Sequence, residues 1–367
     1  MTNRRDFISM TAMTAGGLLA GCRLGRTGQT EWLAKPEYDF MWGELVHFGM
    51  NNFSTVEVKS CFYPGGLTEA QREIVRKQDI RADHVRFDEA MWREVSAKFK
   101  ASGVNAIVID VAESLAYPSH PELAVKGSWS PDKMRDEIAR LRGMGFEVIP
   151  KMNFSTTHDC WLKDYHLMVG TRKYYEVVRD VIADVSEVFG RPRLFHVGLD
   201  EEVPQFQAEE PVVTLRGLEK WWQDLKFYQG EVERHGSRMW MWSDYFRHHD
   251  GDEAIRDFCK HMSKAVLQCP WWYQWINRPA FDAEKRVEVR NYRRLSDLGY
   301  EFTLCGSNCY ACDTNFEDTV AYCRDHLNAG NCKGFLFAPW LEMHPGLRNR
   351  WEEGADQVAR ARALWRR

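Results

Sequence analysis

The chain lacks a strong excess of either charge. Its 367 residues carry 49 Lys and Arg against 53 Asp and Glu, a formal net charge of −4. No basic field is present to hold nucleic acid. No glycine-rich turn follows an early strand-like run, which argues against a doubly wound nucleotide-binding sheet. Beyond the N-terminus no segment is long and apolar enough to span a bilayer. The His-rich "RHHD" at 247–250 has no matching ligand spacing elsewhere, so no metal and no cofactor are expected. What the chain does have is tryptophan, 15 residues, within a composition that is 44% hydrophobic. That is enough for one large core, and the indoles can fill it or stack on flat ligands and sugar rings.

The N-terminal segment stands apart. Arg4 and Arg5 precede an apolar, small-residue stretch that ends "LLAGC" at Cys22. This resembles a twin-arginine export signal closed by a bacterial lipobox, which implies a lipidated Cys22 and a periplasmic or cell-surface location. The expected organisation is a signal at 1–22, a polar linker at 23–38 and one folded domain at 39–367. Membrane contact is expected through the lipid anchor alone. An oxidising compartment permits disulfides among the remaining cysteines, but spacing assigns no pairs. Cys269 and Cys332 lie in or beside apolar runs and read as buried thiols.

From residue 39 one pattern recurs: a short apolar run, a turn, then an amphipathic helix. The runs are "GELVHFGM" (43–50), "VNAIVIDV" (104–111), "FEVIPKMN" (146–153), "RLFHVGLD" (193–200), "RMWMWSD" (238–244), "AVLQCPWW" (265–272), "YEFTLCGSN" (300–308) and "CKGFLFAPW" (332–340). Helices are expected around 88–102, 131–144, 171–189, 215–235, 252–262, 284–298, 316–328 and 347–364, with a long polar loop before the first. The runs are near-continuously apolar, as strands buried on both faces should be. Eight such units predict an α/β fold, a (β/α)8 TIM barrel.

Active sites of that fold lie at the C-terminal ends of the strands. Those ends carry Asn51 and Asn52; Asp110, Glu113 and His120; Asn153, His158 and Asp159; Asp200, Glu201 and Glu202; Trp242 and Asp244; Trp271, Trp272, Tyr273 and Trp275; Asn308 and Tyr310; Trp340 and Glu342. The inventory is acidic and aromatic. It suits a neutral polyhydroxylated ring, whose apolar faces stack while carboxylates accept from its hydroxyls. Carboxylates also supply the acid for glycosidic cleavage.

"FHVGLDEE" (195–202) resembles the strand-4 motif of family 20 glycoside hydrolases, His-x-Gly-x-Asp-Glu, matched by His196, Gly198, Asp200 and Glu201. "VIPKMNFSTTH" resembles the family's strand-3 segment through Pro150 and His158. "MWSD" resembles its strand-5 end, and "APWLE" its Trp-x-Glu at strand 8 through Trp340 and Glu342. The resemblance implies that the sugar's 2-acetamido oxygen acts as nucleophile. Glu201 would protonate the leaving oxygen, and Asp200 would orient the acetamido N–H. Adjacent carboxylates should keep Glu201 protonated while Asp200 stays ionised. Trp340 would stack on the sugar, Glu342 would bind outer hydroxyls and Tyr310 would meet the acetamido carbonyl. His158, Trp242, Asp244 and Trp271 complete the expected substrate contacts, and the expected partner is a carbohydrate. His196 reads as structural, and Glu202 as a solvent-facing or loop-bracing acid.

Strand 1 departs from the family, whose members carry an Arg at its end. Here "HFGMN", with "VRFDEAMW" further on, resembles α-L-fucosidase-type barrels, in which Asp200 would be the nucleophile. A second alternative is a surface carbohydrate-binding barrel that keeps the aromatics and does not need Glu201. Cys305, Cys309 and Cys312 share the spacing of radical-SAM enzymes, but follow the seventh run rather than the first.

Overall fold

In the computed structural model the described residues are 40–52, 66–78, 80–207, 212–276, 285–310 and 312–365. The expected signal at 1–22 with Cys22, and the expected linker at 23–38, lie outside them. Eight parallel strands close into a barrel in chain order: β1 (Met41–His47), β2 (Ala106–Asp110), β3 (Glu147–Lys151), β4 (Leu194–His196), β5 (Arg238–Trp242), β6 (Leu267–Cys269), β7 (Phe302–Gly306) and β8 (Cys332–Phe337). The expected α/β barrel is therefore what the chain forms. Around it run α1 (Glu69–Gln78), α2 (Glu89–Ser102), α3 (Pro131–Gly143), α4 (Arg172–Val188), α5 (Leu218–Arg234), the short α6 (Tyr245–His248), α7 (Gly251–His261), α8 (Val287–Asp297), α9 (Asn315–His326) and α10 (Arg348–Trp365). No helix among the described residues is long and apolar enough to cross a membrane.

Local signals set the helix ends. Asp88 accepts from Met91 N to start α2, and Gly103, left-handed at φ 84°, ends it. Ser130 with Pro131 starts α3, and Thr171 starts α4. The strands stop earlier than the apolar runs. β4 ends at His196, yet Val197 and Leu199 are as buried as the strand itself. Helix α1 was not expected, because it lies inside the long polar loop. Only Gln71, Val75 and Gln78 of it are buried. Gln78 nonetheless matters to the barrel mouth: its Nε2 donates to Trp340 O (2.8 Å) and its Oε1 accepts from Glu342 N (3.1 Å).

The last residues of the first four strands form a polar layer under that mouth. His47, Asp110, Lys151 and His196 stand in register across β1 to β4 and are all buried. Lys151 Nζ lies 2.5 Å from Asp110 Oδ2, and His47 Nδ1 lies 3.1 Å from the same oxygen. Burial works against the charge on Asp110, but Lys151 and then His47 outweigh it and hold the carboxyl below its ordinary range. Asp110 is thus a buried ion-pair member rather than a loop cap.

A lone charge left at this depth is costly, typically about 3–5 kcal/mol when one partner of a buried pair is removed. Lys151→Met is expected to lower the unfolding free energy, read from urea denaturation, by about 3–5 kcal/mol. The double variant Lys151→Met/Asp110→Leu should recover part of it.

Candidate active site

The site is built around the turn that follows β4. Gly198 (φ 74°), Leu199 (φ 71°) and Glu201 (φ 56°) all take left-handed backbone conformations. Leu199 and Glu201 do so at a conformational cost that the surroundings must meet. A Cβ on Gly198 would lie 1.9 Å from Asn153 Oδ1, so only glycine fits. Asn153, after β3, accepts from Ser155 N (3.0 Å) and donates from Nδ2 to Asp200 Oδ1 (2.9 Å). The Asp200 carbonyl accepts from the hydroxyls of Ser155 and Thr157. The β3 loop therefore grips the β4 turn along its length.

The turn brings Asp200 and Glu201 to one imidazole. His158 Nε2 lies 3.3 Å from Asp200 Oδ2 and 3.3 Å from Glu201 Oε2. The two acids differ in access: the Glu201 side chain is 20% exposed and that of Asp200 7%. Burial would raise the Asp200 carboxyl, but His158 outweighs it, with Lys151 and Asn153 adding to the effect. Asp200 is held well below the ordinary carboxylate range. His158 is raised in return: burial opposes its charge, and Asp200 followed by Glu201 overcomes that. The expectation that Asp200 stays ionised agrees with this geometry.

Three expected substrate contacts are held by their neighbours to different degrees. Trp242 has no exposed surface and packs between His196 (4.5 Å between centroids) and Trp340 (5.7 Å), so it backs the wall instead of facing a ligand. Asp244 is buried with both oxygens engaged. Oδ2 accepts from Glu201 N (3.0 Å) and Oδ1 from Trp271 Nε1 (2.7 Å), so it ties the β4 turn to the loop after β6. Its carboxyl is pushed up to about 6 by burial, which outweighs Arg247. Trp271 is itself held, with the Arg247 guanidinium 3.8 Å above its ring and Tyr273 stacked at 4.8 Å.

The remaining contacts gather at the mouth. Trp340 is half-buried, left-handed at φ 56°, and packs 5.5 Å from His47. Glu342 is buried beside Arg86, 3.7 Å away, and its Oε2 has no hydrogen-bond donor among the described residues. Tyr310 lies within electrostatic reach of Glu201 and Arg247, its phenol raised to about 12 chiefly by burial.

Glu202 is a loop brace and not solvent-facing. It accepts from Arg216 Nη1 (2.6 Å) and Thr156 N (2.8 Å), and Arg216 also meets Asp224. Arg86 and Arg247, met only inside "VRFDEAMW" and "RHHD", and Arg216 were not read from the sequence as partners of these acids. Each comes from a loop or a short helix with no periodic signal. Among the described residues Cys160, Cys259, Cys269, Cys305, Cys309, Cys312, Cys323 and Cys332 are free thiols; Cys269 and Cys332 are buried as expected.

An eight-stranded barrel with an Asp–Glu pair at the end of β4, joined by a histidine and walled by aromatic rings, has the architecture of a glycoside hydrolase catalytic domain. Residues 105–278, from β2 through β6, match the family model described as glycosyl hydrolase family 20, catalytic domain. Solved structures with a similar fold include a chitobiase of Flavobacterium johnsoniae (14% identity, TM-score 0.52, 77% of this chain and 49% of that one). The exo-β-N-acetylglucosaminidase of Vibrio harveyi, in complex with N-acetylglucosamine, is similar at 11% identity and TM-score 0.54, over 88% of this chain and 55% of that one. The β-N-acetylhexosaminidase of Bacteroides fragilis is similar at 10% and 0.52, over 87% and 65%. The chain thus spans about half the length of the first two of these, and at such identities the likeness is one of fold. No curated protein matches the chain.

Gly198→Ala is expected to break the Asn153 grip, because the methyl occupies the Asn153 oxygen's place. Thermal unfolding should show a loss of more than about 1 kcal/mol, together with a fall in activity.

Proposed function

We propose that this barrel is a retaining β-N-acetylhexosaminidase that uses the substrate's own acetamido group as nucleophile. The observation that carries the reading is the asymmetry of the acid pair: a buried Asp200 held as an anion beside a more open Glu201. An anionic Asp200 accepts the acetamido N–H and turns the amide oxygen toward the anomeric carbon. As that oxygen bonds to the carbon, the glycosidic bond breaks and Glu201 gives its proton to the leaving oxygen. The negative charge on Asp200 stabilises the oxazolinium-like intermediate in a dry setting where such charge is strong. Water then attacks the anomeric carbon, Glu201 takes its proton, and the amide oxygen leaves. Two inversions give net retention. Trp340 stacks on the sugar face, and Glu342, paired with Arg86, accepts from an outer hydroxyl. The family-model match across β2–β6 supports the same reading.

Positioned acid–base groups are typically worth about 10²–10⁴-fold in rate. Glu201→Gln should lower kcat on chromogenic N-acetyl-β-hexosaminides by that order, and thiazoline mimics of the intermediate should inhibit the wild type. A Glu201→Gln protein as active as wild type would overturn the assignment. Absence of turnover across a broad glycoside panel would favour a sugar-binding barrel.

The N-terminal pattern supports export by the twin-arginine route and anchoring through a lipid on Cys22. Cys22→Ala is expected to move the protein from the membrane pellet to the soluble fraction and to abolish labelling by a fatty-acid analogue.

A further inference from the structure

Glu201 holds a backbone conformation that residues other than glycine rarely adopt, with φ at 56°. Its N–H makes one side-chain hydrogen bond, to Asp244 Oδ2 at 3.0 Å. Asp244 begins the loop after β5, on the far side of the turn from the β3 grip. Its other oxygen is fixed by Trp271 from the loop after β6. Arg247 of α6 lies 3.7 Å from Asp244 and 3.8 Å over the Trp271 ring, so it closes the bracket from above. Within this bracket both Asp244 carboxylate oxygens are engaged, and the hydrogen bond to the acid pair is to the Glu201 backbone.

We propose that Asp244 is a positioning residue whose negative charge holds Glu201 in its strained, proton-donating placement. The inference rests on the reading of Glu201 as the proton donor. A carboxylate accepts an N–H bond more strongly than a neutral carboxylic acid does. Protonating Asp244 therefore slackens the hold on Glu201. The groups facing Asp244 are Arg247 from α6, Asp200 and Glu201 from the β4 turn, and Trp271; Arg247 is faced in turn by Glu288 of α8 and by Tyr273. Burial dominates and the carboxyl titrates near 6. Asp200, held far lower, does not titrate in that window. Because the charged form is the working form, activity is lost on the acidic side as pH falls through about 6.

The test compares wild type with Asp244→Asn, which keeps the shape and an acceptor oxygen. On a chromogenic N-acetyl-β-hexosaminide, the variant's kcat should fall about a hundredfold, the scale of a displaced catalytic group, with KM little changed. The wild type's acidic limb near pH 6 should be absent from the variant. Independently of turnover, the Glu201 amide resonance in selectively labelled protein should shift with a midpoint near pH 6 in wild type and stay fixed in Asp244→Asn. Trp271→Phe, which removes only the indole donor among polar groups, should move that midpoint. If the amide titrates but no hexosaminide is turned over, the proposed reaction fails while the positioning contact stands. If the amide does not titrate, or an active Asp244→Asn keeps the wild-type pH profile, the proposal is overturned.

Discussion

A dry barrel mouth crowded with carboxylates is stable only if each negative charge is answered where it stands. Most of the site follows from that constraint. Lys151 answers Asp110, His158 answers Asp200, Arg216 answers Glu202, Arg247 stands near Asp244 and Arg86 near Glu342. Glu113 has no such cation in contact and accepts instead from the backbone N–H groups of Met50 and Asn51. Burial and pairing compete differently at each acid: at Asp200, His158 and an amide outweigh burial and drive the carboxyl down, whereas at Glu202 and Asp244 burial prevails over the arginine and drives it up. One neighbourhood thus holds carboxyl groups of very different proton affinity, as acid–base chemistry requires.

The second requirement is backbone rigidity. The turn after β4 bends so that neighbouring residues, which would point to opposite sides of a continued strand, both reach His158. Left-handed geometry at Leu199 and Glu201 is costly, and it is held from two sides. Asn153, Ser155 and Thr157 of the β3 loop grip the Asp200 end, and Asp244 takes the Glu201 N–H. Gly198 is where the chain comes too close to Asn153 for any side chain.

The barrel was legible because its strands are apolar on both faces, and counting the runs placed the acid motif on the fourth of them. Strand ends were less legible. Val197 and Leu199 continue the apolar run of β4 past its last ladder residue, since burial continues into the turn. The acid pair and His158 could be named from residue type and order. What their neighbours do could not. The Asp110–Lys151 pair joins residues 41 apart in the chain, and nothing in either strand's pattern announces the register that brings them together. Asp244 and Trp242 were visible as residues of the mouth, but whether such a side chain faces the ligand or stands behind it depends on loop geometry alone. Helix α1 was hidden because its surface is nearly all polar, and its bonds to the backbone of Trp340 and Glu342 come from one glutamine.

That glutamine ties distant parts of the chain together. Gln78 is bonded to the backbone on both sides of Leu341, at positions 262 and 264 residues further along. The acid pair is gripped by the loops after β3 and β5, whereas the wall at Trp340 is tied to α1 as well as to β8. A helix early in the chain thus braces the segment that follows its last strand, and the mouth is complete only with the strand that closes the barrel.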